Sequence, residues 1–392
     1  MRLPGPSEAY ALFDDARVHG AAPARLYRDP VDIIVARRIK EVQPALDRLA
    51  DAREQGLHAA GFLSYEAGLA LDDRPHALIR AMRPPAPGDI PLLWFGLFEG
   101  VRPIDADAVA ALLPDPGGAS VAPPRPLIGR ADYEAAFAHV QELIRAGDIY
   151  QVNLTFQCEV DFTGDPVALY AALRARARAG YGGIIRTGAH DLLSFSPELF
   201  FTLVRGQLTA RPMKGTAARI ADPGADAAAV RELALDDKQR AENLMIVDLL
   251  RNDLSRVAQA GSVTVPELFR VETYPTVHQM VSTIRARILP GLSAVDALRV
   301  LFPCGSITGA PKIRAMEIID AVETGPRGIY TGAMGWIDPK GNAAFNVAIR
   351  TICVEEGAQV GRLGLGSGIV ADSDVASEWA ECLAKGRFLS TT

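Results

Sequence analysis

Two helical stretches of this sequence aim carboxylates where apolar residues should go. Over 227–251, Met245, Ile246 and Leu249 mark an apolar face, and Glu242 falls three, four and seven positions before them, on the same side. Gln239 lies one turn earlier. Near the end of the chain, Glu378, Glu381 and Lys385 stand at i, i+3 and i+7, on one face with Cys382, Phe388 and Leu389. A carboxylate heading into a core is costly unless it is paired or binds a cation. An arginine partner or a surface salt-bridge stripe explains each helix taken alone. Taken together, two helices each offering a carboxylate, without His or Cys, could form a site for a hard cation, Mg²⁺ rather than zinc.

Other residues suit an anionic ligand. Gly305-Ser306-Ile307-Thr308-Gly309-Ala310-Pro311-Lys312 runs into a helix, where free N–H groups attract carboxylate or phosphate. It is not a P-loop, because the spacing is wrong and no Lys-Ser/Thr pair closes it. Gly364-Leu365-Gly366-Ser367-Gly368 is similar, though glycines often only serve turns. Arg350 ends an apolar strand and could fork onto a carboxylate. Lys214, in Arg211-Pro212-Met213-Lys214-Gly215-Thr216, is by type a solvated surface residue; its neighbours say only that the backbone is constrained.

These residues need a frame of strands and helices. Strands are expected at 33–35, 61–65, 92–98, 150–160, 183–187, 191–195, 198–204, within 261–289, and at 329–337, 343–354 and 360–370. Helices are expected at 41–55, from an Asp132 cap to 145, and at 166–179, 227–251, 295–301, 311–322 and 375–388. A Pro-rich stretch with Gly117-Gly118 places a boundary near 102–128. Hairpin-like strand spacing with segregated helices indicates an α+β fold with large antiparallel sheets.

Composition removes several classes. The 392 residues are 49% hydrophobic and 22% charged, which is globular and neither disordered nor fibrous. The net charge of −6 has no long basic block, against a nucleic-acid partner. No apolar run is long enough to span a bilayer, and the start lacks the apolar core of a signal peptide. Cys158, Cys304, Cys353 and Cys382 are far apart, as for reduced thiols in the cytoplasm.

Several segments together resemble the chorismate-utilising enzymes. They are Gly147 to Leu154, Ser196-Pro197-Glu198-Leu199-Phe200, Arg211 to Thr216, Ala241 to Asp253 and Gly305 to Lys312. Ile329-Tyr330-Thr331-Gly332, Ala348-Ile349-Arg350-Thr351 and Gly366 to Asp374 complete the set, in family order over about 130–390. The family includes anthranilate synthase component I, aminodeoxychorismate synthase component I and the isochorismate and salicylate synthases. The resemblance implies one α+β unit with sheets packed around a central cleft and helices outside. Residues 1–128 would be its N-terminal part and 129–392 its chorismate-binding catalytic region. Isochorismate and salicylate synthases carry a lysine base where this chain has Gln151, and anthranilate synthases usually have alanine where it has Lys214. The pair therefore resembles the aminodeoxychorismate branch. The Leu-Leu-Glu-Ser feedback motif of many anthranilate synthases is absent.

The resemblance also implies roles. Glu242 and Glu381 would hold Mg²⁺ and the ring carboxylate of chorismate, with Gln239 and Glu378 nearby. Glu198 would be the general acid that protonates the leaving 4-hydroxyl. Lys214 would be the nucleophile at ring carbon 2, displaced when ammonia attacks carbon 4. Thr216, Tyr330, Arg350, Gly366, Gly368 and Lys385 would hold the substrate carboxylates. His278 would line the site near the ring, unless it is a core histidine. The sequence has no Gly-x-Cys-x-Gly glutaminase segment, so ammonia would come from a separate glutamine amidotransferase subunit. The alternatives are anthranilate synthase component I and a chorismate-binding subunit without ring chemistry.

Overall fold

A computed structural model describes residues 3–71, 86, 88–274 and 277–390. Two sheets dominate it, of eleven and ten strands among the described residues, and every pairing is antiparallel. The first runs from Gly309–Ala310 through Gln151–Thr163, Val360–Ile369, Thr351–Glu355, His190–Ser194, Gly182–Arg186 and Tyr10–Asp14 to Ala24–Arg28 and Arg102–Ile104. The second runs from Met213–Ala218 through Val277–Arg287, Gln207–Arg211, Leu199–Val204, Ala343–Val347, Ala333–Ile337, His58–Leu63 and Leu93–Phe98 to Asp32–Ala36. Strands before residue 128 pair with later ones in both: Tyr10–Asp14 with Gly182–Arg186, and His58–Leu63 with Ala333–Ile337.

Strand alternation sorts the core into layers. Ala11, Tyr27, Ile185 and Leu192 of the first sheet meet Phe62, Trp94, Phe98 and Met334 of the second in one inner cluster. Their neighbours Leu12, Leu26, Ile184 and Leu193 point the other way, into an outer cluster shared with Phe137, Leu173, Met316 and Cys382 of the helices. Leu63 and Leu93 do the same for the second sheet, toward Leu46, Leu49, Leu250 and Leu298. The fold is α+β, two antiparallel sheets face to face with helices outside, as the sequence indicated.

Local chemistry moves several boundaries. The helix Arg130–Arg145 is capped by Gly129, and Asp132 falls within its first turn. The continuous pattern over 227–251 is two helices, Pro223–Leu235 and Asp237–Ser255. Asp236 is extended between them, and its carboxylate accepts the N–H of Gln239. An N-cap inside an uninterrupted helical pattern carries no Gly or Pro to announce it. The strand expected over 343–354 is likewise two, in different sheets, and Arg350 in the step between them has φ 49°.

A buried ion pair fastens the inner edge of the first sheet. Arg327 is 3% exposed and grips Glu323 through Nε and Nη2, at 2.9 and 2.7 Å. It also donates to the carbonyls of Asn153 (2.6 Å) and Ile307 (3.0 Å). Glu323 in turn accepts from the Thr155 N–H and hydroxyl. Removing one partner of such a pair leaves a buried charge uncompensated. Arg327→Met is therefore expected to lower stability in urea unfolding by about 3–5 kcal/mol. Adding Glu323→Gln should recover part of that loss.

Candidate active site

A cavity of about 560 Å³ opens between strands of both sheets. The first sheet contributes Asn153, Gly364, Leu365, Gly366 and Gly368; the second contributes Met213 to Thr216, Val277 and Gln279. Glu198 enters where the chain crosses from His190–Ser194 to Leu199–Val204, and Arg350 where it crosses back from Ala343–Val347 to Thr351–Glu355. Helix Asp237–Ser255 supplies Lys238, Gln239 and Glu242, and helix Val375–Lys385 supplies Glu378, Glu381 and Lys385. The buried stripe of the first helix is Asn243, Ile246, Val247, Leu250, Asp253 and Leu254. Glu242 sits one step round from that stripe, at the cavity edge.

Lys214, Glu198, Thr216, Tyr330, Arg350, Gly366, Gly368, Lys385, Glu242 and Glu381 all line this cavity. His278 does not. Strand alternation turns Val277 and Gln279 to the cavity and His278 to the opposite face, where it is 1% exposed. Its ring bonds to Thr273 Oγ1 at 2.9 Å and Asp226 Oδ1 at 2.8 Å, so it is a core histidine that anchors helix Pro223–Leu235. Lys312 is also turned away, paired with Asp253 at 2.6 Å. Of the Gly305–Lys312 segment, Ser306 and Ile307 reach the cavity.

Burial drives the two central groups toward their neutral forms. It pushes the Glu198 carboxyl above its ordinary value, against the Ser306 hydrogen bond and the charges of Lys214 and Lys385. It pushes the Lys214 amine below its ordinary value, helped by Lys385 and opposed by Glu198, Glu242 and Glu381. The shifts move the two groups toward the forms of a proton donor and a nucleophile.

The remaining charges differ in how they are satisfied. Lys385 Nζ pairs with Glu381 at 2.8 Å and donates to the Gly366 carbonyl at 2.8 Å. Burial raises Glu381, but Lys385, with Lys214 and Lys238, carries it below its ordinary value. Glu242 has no hydrogen-bond or ion-pair partner among the described residues, and burial raises its carboxyl. The carboxylates here offer oxygen donors only. No cluster of three or more His, Cys, Asp or Glu forms a ready metal cage among the described residues. That donor set fits an ion that takes one or two carboxylates and fills its shell from water and substrate, as Mg²⁺ does. Arg350 also lacks a partner among the described residues; burial lowers it, yet it stays a cation. An unpaired guanidinium in a cavity is a receptor for a carboxylate.

Sequence reasoning missed several lining residues. Ser306 donates to Glu198 Oε1 at 2.8 Å. Gln279 accepts from Thr216 Oγ1 at 3.0 Å and donates to the Gly215 carbonyl. Lys238 pairs with Asp372, in the turn before helix Val375–Lys385. Lys238 precedes Glu242 by one helical turn, a signal that was available; Ser306 and Gln279 meet their partners only through the fold. Gln151, beside Lys214, is 1% exposed with neither side-chain polar atom hydrogen-bonded to the described protein.

The model of the chorismate binding enzyme family matches residues 8–391. Aminodeoxychorismate synthase component 1 of Klebsiella aerogenes is 45% identical over 258 residues, 66% of this chain and 57% of that protein. Anthranilate synthase component 1 of Pseudomonas putida is 42% identical over 258 residues, 66% of this chain and 52% of that one. The chain thus spans about half the length of these curated relatives. The crystal structure of anthranilate synthase component I from Streptococcus pneumoniae TIGR4 superposes with a TM-score of 0.81, at 26% identity, over 95% of this chain and 93% of that one.

Glycines in the cavity wall stand close to its other groups. A β-carbon at Gly364 would fall 2.0 Å from the Tyr330 ring, and one at Gly368 would fall 2.9 Å from Gln151 Nε2 and 3.4 Å from Lys214 Nζ. Gly368→Ala is expected to shift Gln151 and Lys214 and to cut turnover roughly 10–100-fold. Thermal unfolding of the same variant should change little.

Proposed function

The chain belongs to the chorismate-binding enzyme family, and we propose that it is the aminating component of an aminodeoxychorismate synthase, converting chorismate and ammonia to 4-amino-4-deoxychorismate. The observation that carries this reading is a half-buried lysine, Lys214, whose amine burial pushes below its ordinary pKa, in one cavity with a buried acid, Glu198. The similarity to the Klebsiella aerogenes protein supports it.

Arg350, lacking an internal counter-ion, receives a chorismate carboxylate. Thr216, Tyr330, Lys385 and the backbone at Gly366 and Gly368 complete the anion contacts. Glu242 and Glu381 would hold Mg²⁺, which would supply Lewis-acid polarisation of the ring carboxylate. Glu198, protonated, gives its proton to the departing 4-hydroxyl, which leaves as water. The neutral Lys214 amine attacks ring carbon 2 as the double bond shifts. Ammonia then attacks carbon 4, the double bond returns and the Lys214 amine departs. The product keeps its enolpyruvyl group. A glutamine amidotransferase subunit supplies the ammonia, and the reaction runs in the cytoplasm, which fits four free cysteines. No helix among the described residues is long and apolar enough to cross a membrane.

The similarity to the Pseudomonas putida protein favours one alternative, anthranilate synthase component I. Mass spectrometry of products from chorismate, Mg²⁺ and ammonium separates the two. Aminodeoxychorismate without pyruvate is expected; anthranilate with pyruvate would select the alternative. Lys214→Ala should abolish any covalent adduct on residue 214 and lower amination at least a hundredfold. Full activity in that variant would remove the nucleophile role. For the metal, Glu242→Gln should raise the Mg²⁺ concentration for half-maximal rate at least tenfold, and an unchanged requirement would show that Glu242 is not a ligand.

A further inference from the structure

Glu198 has a demanding task under the proposed function, and the role assigned to its neighbours here rests on that function. It must be a carboxylic acid before the 4-hydroxyl leaves and a carboxylate afterwards, while buried at 6% exposure. A buried carboxylate needs a donor, and a buried carboxylic acid needs an acceptor. A fixed backbone N–H beside it would serve the ionised form alone.

The group in contact with Glu198 is instead a hydroxyl. Ser306 Oγ lies 2.8 Å from Glu198 Oε1, and on its other side the Cys304 Sγ lies 3.2 Å from Ser306 Oγ. Ser306 is 3% exposed and Cys304 is 4% exposed. Ser306 lines the cavity with Glu198; Cys304 stands behind it. The turn that carries them is held in place. Thr308 Oγ1 donates to the carbonyls of Cys304 and Gly305, and Arg327 donates to that of Ile307. A β-carbon at Gly305 would press on Leu249 at 2.5 Å. The hydroxyl therefore rotates on a fixed backbone.

We propose that Ser306, backed by Cys304, is a positioning residue that satisfies Glu198 in both of its protonation states. With Glu198 ionised, the thiol donates to Ser306 Oγ and the Ser306 hydroxyl donates to the carboxylate. With Glu198 protonated, the acid donates to Ser306 Oγ and the hydroxyl turns to the Cys304 sulfur. The proton lost by Glu198 goes to the leaving hydroxyl; Ser306 and Cys304 keep theirs and only reorient. Cys304 stays a thiol throughout, since burial and the Glu198 charge push its pKa up to about 12. The charged groups that bear on Glu198 from its other sides are Lys214 and Lys385, and both favour the carboxylate.

Removing the hydroxyl takes a donor from the carboxylate and an acceptor from the acid. The loss to the ionised form is the larger, because hydrogen bonds to charged groups are the stronger ones. The test uses Ser306→Ala, Ser306→Thr and Cys304→Ala in the full chain. The readouts are steady-state kinetics against pH with chorismate, Mg²⁺ and ammonium, and carbon-13 NMR titration of labelled glutamate carboxyls. The Glu198 signal is assigned by its absence in Glu198→Gln. In Ser306→Ala the Glu198 titration and the alkaline limb of kcat should both move up by at least half a pH unit. The same variant should lose about tenfold in kcat, with KM for chorismate within threefold. Ser306→Thr should restore both, and Cys304→Ala should shift them in the same direction by less. An unmoved titration in Ser306→Ala overturns the proposal whatever the activity. A moved titration in a protein that forms no aminodeoxychorismate keeps the Ser306 contact and instead rejects the reaction proposed above.

Discussion

Two chain crossings between the sheets hold the rest of the structure in register. At residues 195–198 the chain leaves one sheet for the other, and at 348–350 it returns. A crossing segment has left its ladder, so its backbone groups need other partners. The crossings supply them to each other: Phe195 N–H donates to the Arg350 carbonyl, and Val347 N–H donates to that of Glu198. Ser196 Oγ reaches the carbonyls of Val347 and Glu198, at 2.6 and 3.3 Å. Thr331 and Ala348 complete the junction through the backbone. Phe195 and Ala348 anchor these crossings in the apolar clusters, while Glu198 and Arg350 belong to none of them. Those two side chains project into the gap where the sheets part, which puts the Glu198 acid and the Arg350 cation in the cavity.

The same geometry explains the cavity's electrostatics. Charges taken from water must be paired, bound to something or neutralised. Glu381 and Lys385 are paired. Glu198 and Lys214 are pushed toward neutrality, the acid up and the amine down. Glu242 and Arg350, opposite in sign, are left with unmet demands among the described residues. Those demands match a small cation and a carboxylate. The cavity is thus incomplete on its own terms, and its deficits describe a ligand that brings both.

What the sequence could convey depended on the range of the interaction. Apolar runs such as 92–98 and 183–187 and their hairpin-like spacing are properties of a few residues, so the α+β class was legible, while the strand Tyr10–Asp14 was not read. Glu242, three, four and seven residues before Met245, Ile246 and Leu249 on one helix, was legible for the same reason. The break at Asp236 was not, because a capping aspartate looks like any polar residue of an exposed helix face. His278 was misplaced by one step of alternation, and in a strand one step is the whole difference between cavity and core. Ser306 stands 108 residues from Glu198, so its contact existed only once the sheets had closed.

The misplaced histidine also shows what the second sheet contributes to the chemistry. His278 ties Asp226, and through it helix Pro223–Leu235, to the outer face of the strand whose other face presents Gln279. Gln279 spans Thr216 and the Gly215 carbonyl, and the neighbouring Asn243 amide reaches the Lys214 carbonyl at 3.4 Å. The backbone on both sides of the Lys214 side chain is therefore fixed from one strand and one helix, while its amine meets no fixed ion-pair partner among the described residues. A lysine on a flexible loop would keep its proton in water. Held at the backbone and stripped of water at the tip, this one is driven toward the free amine that attack on a ring carbon requires.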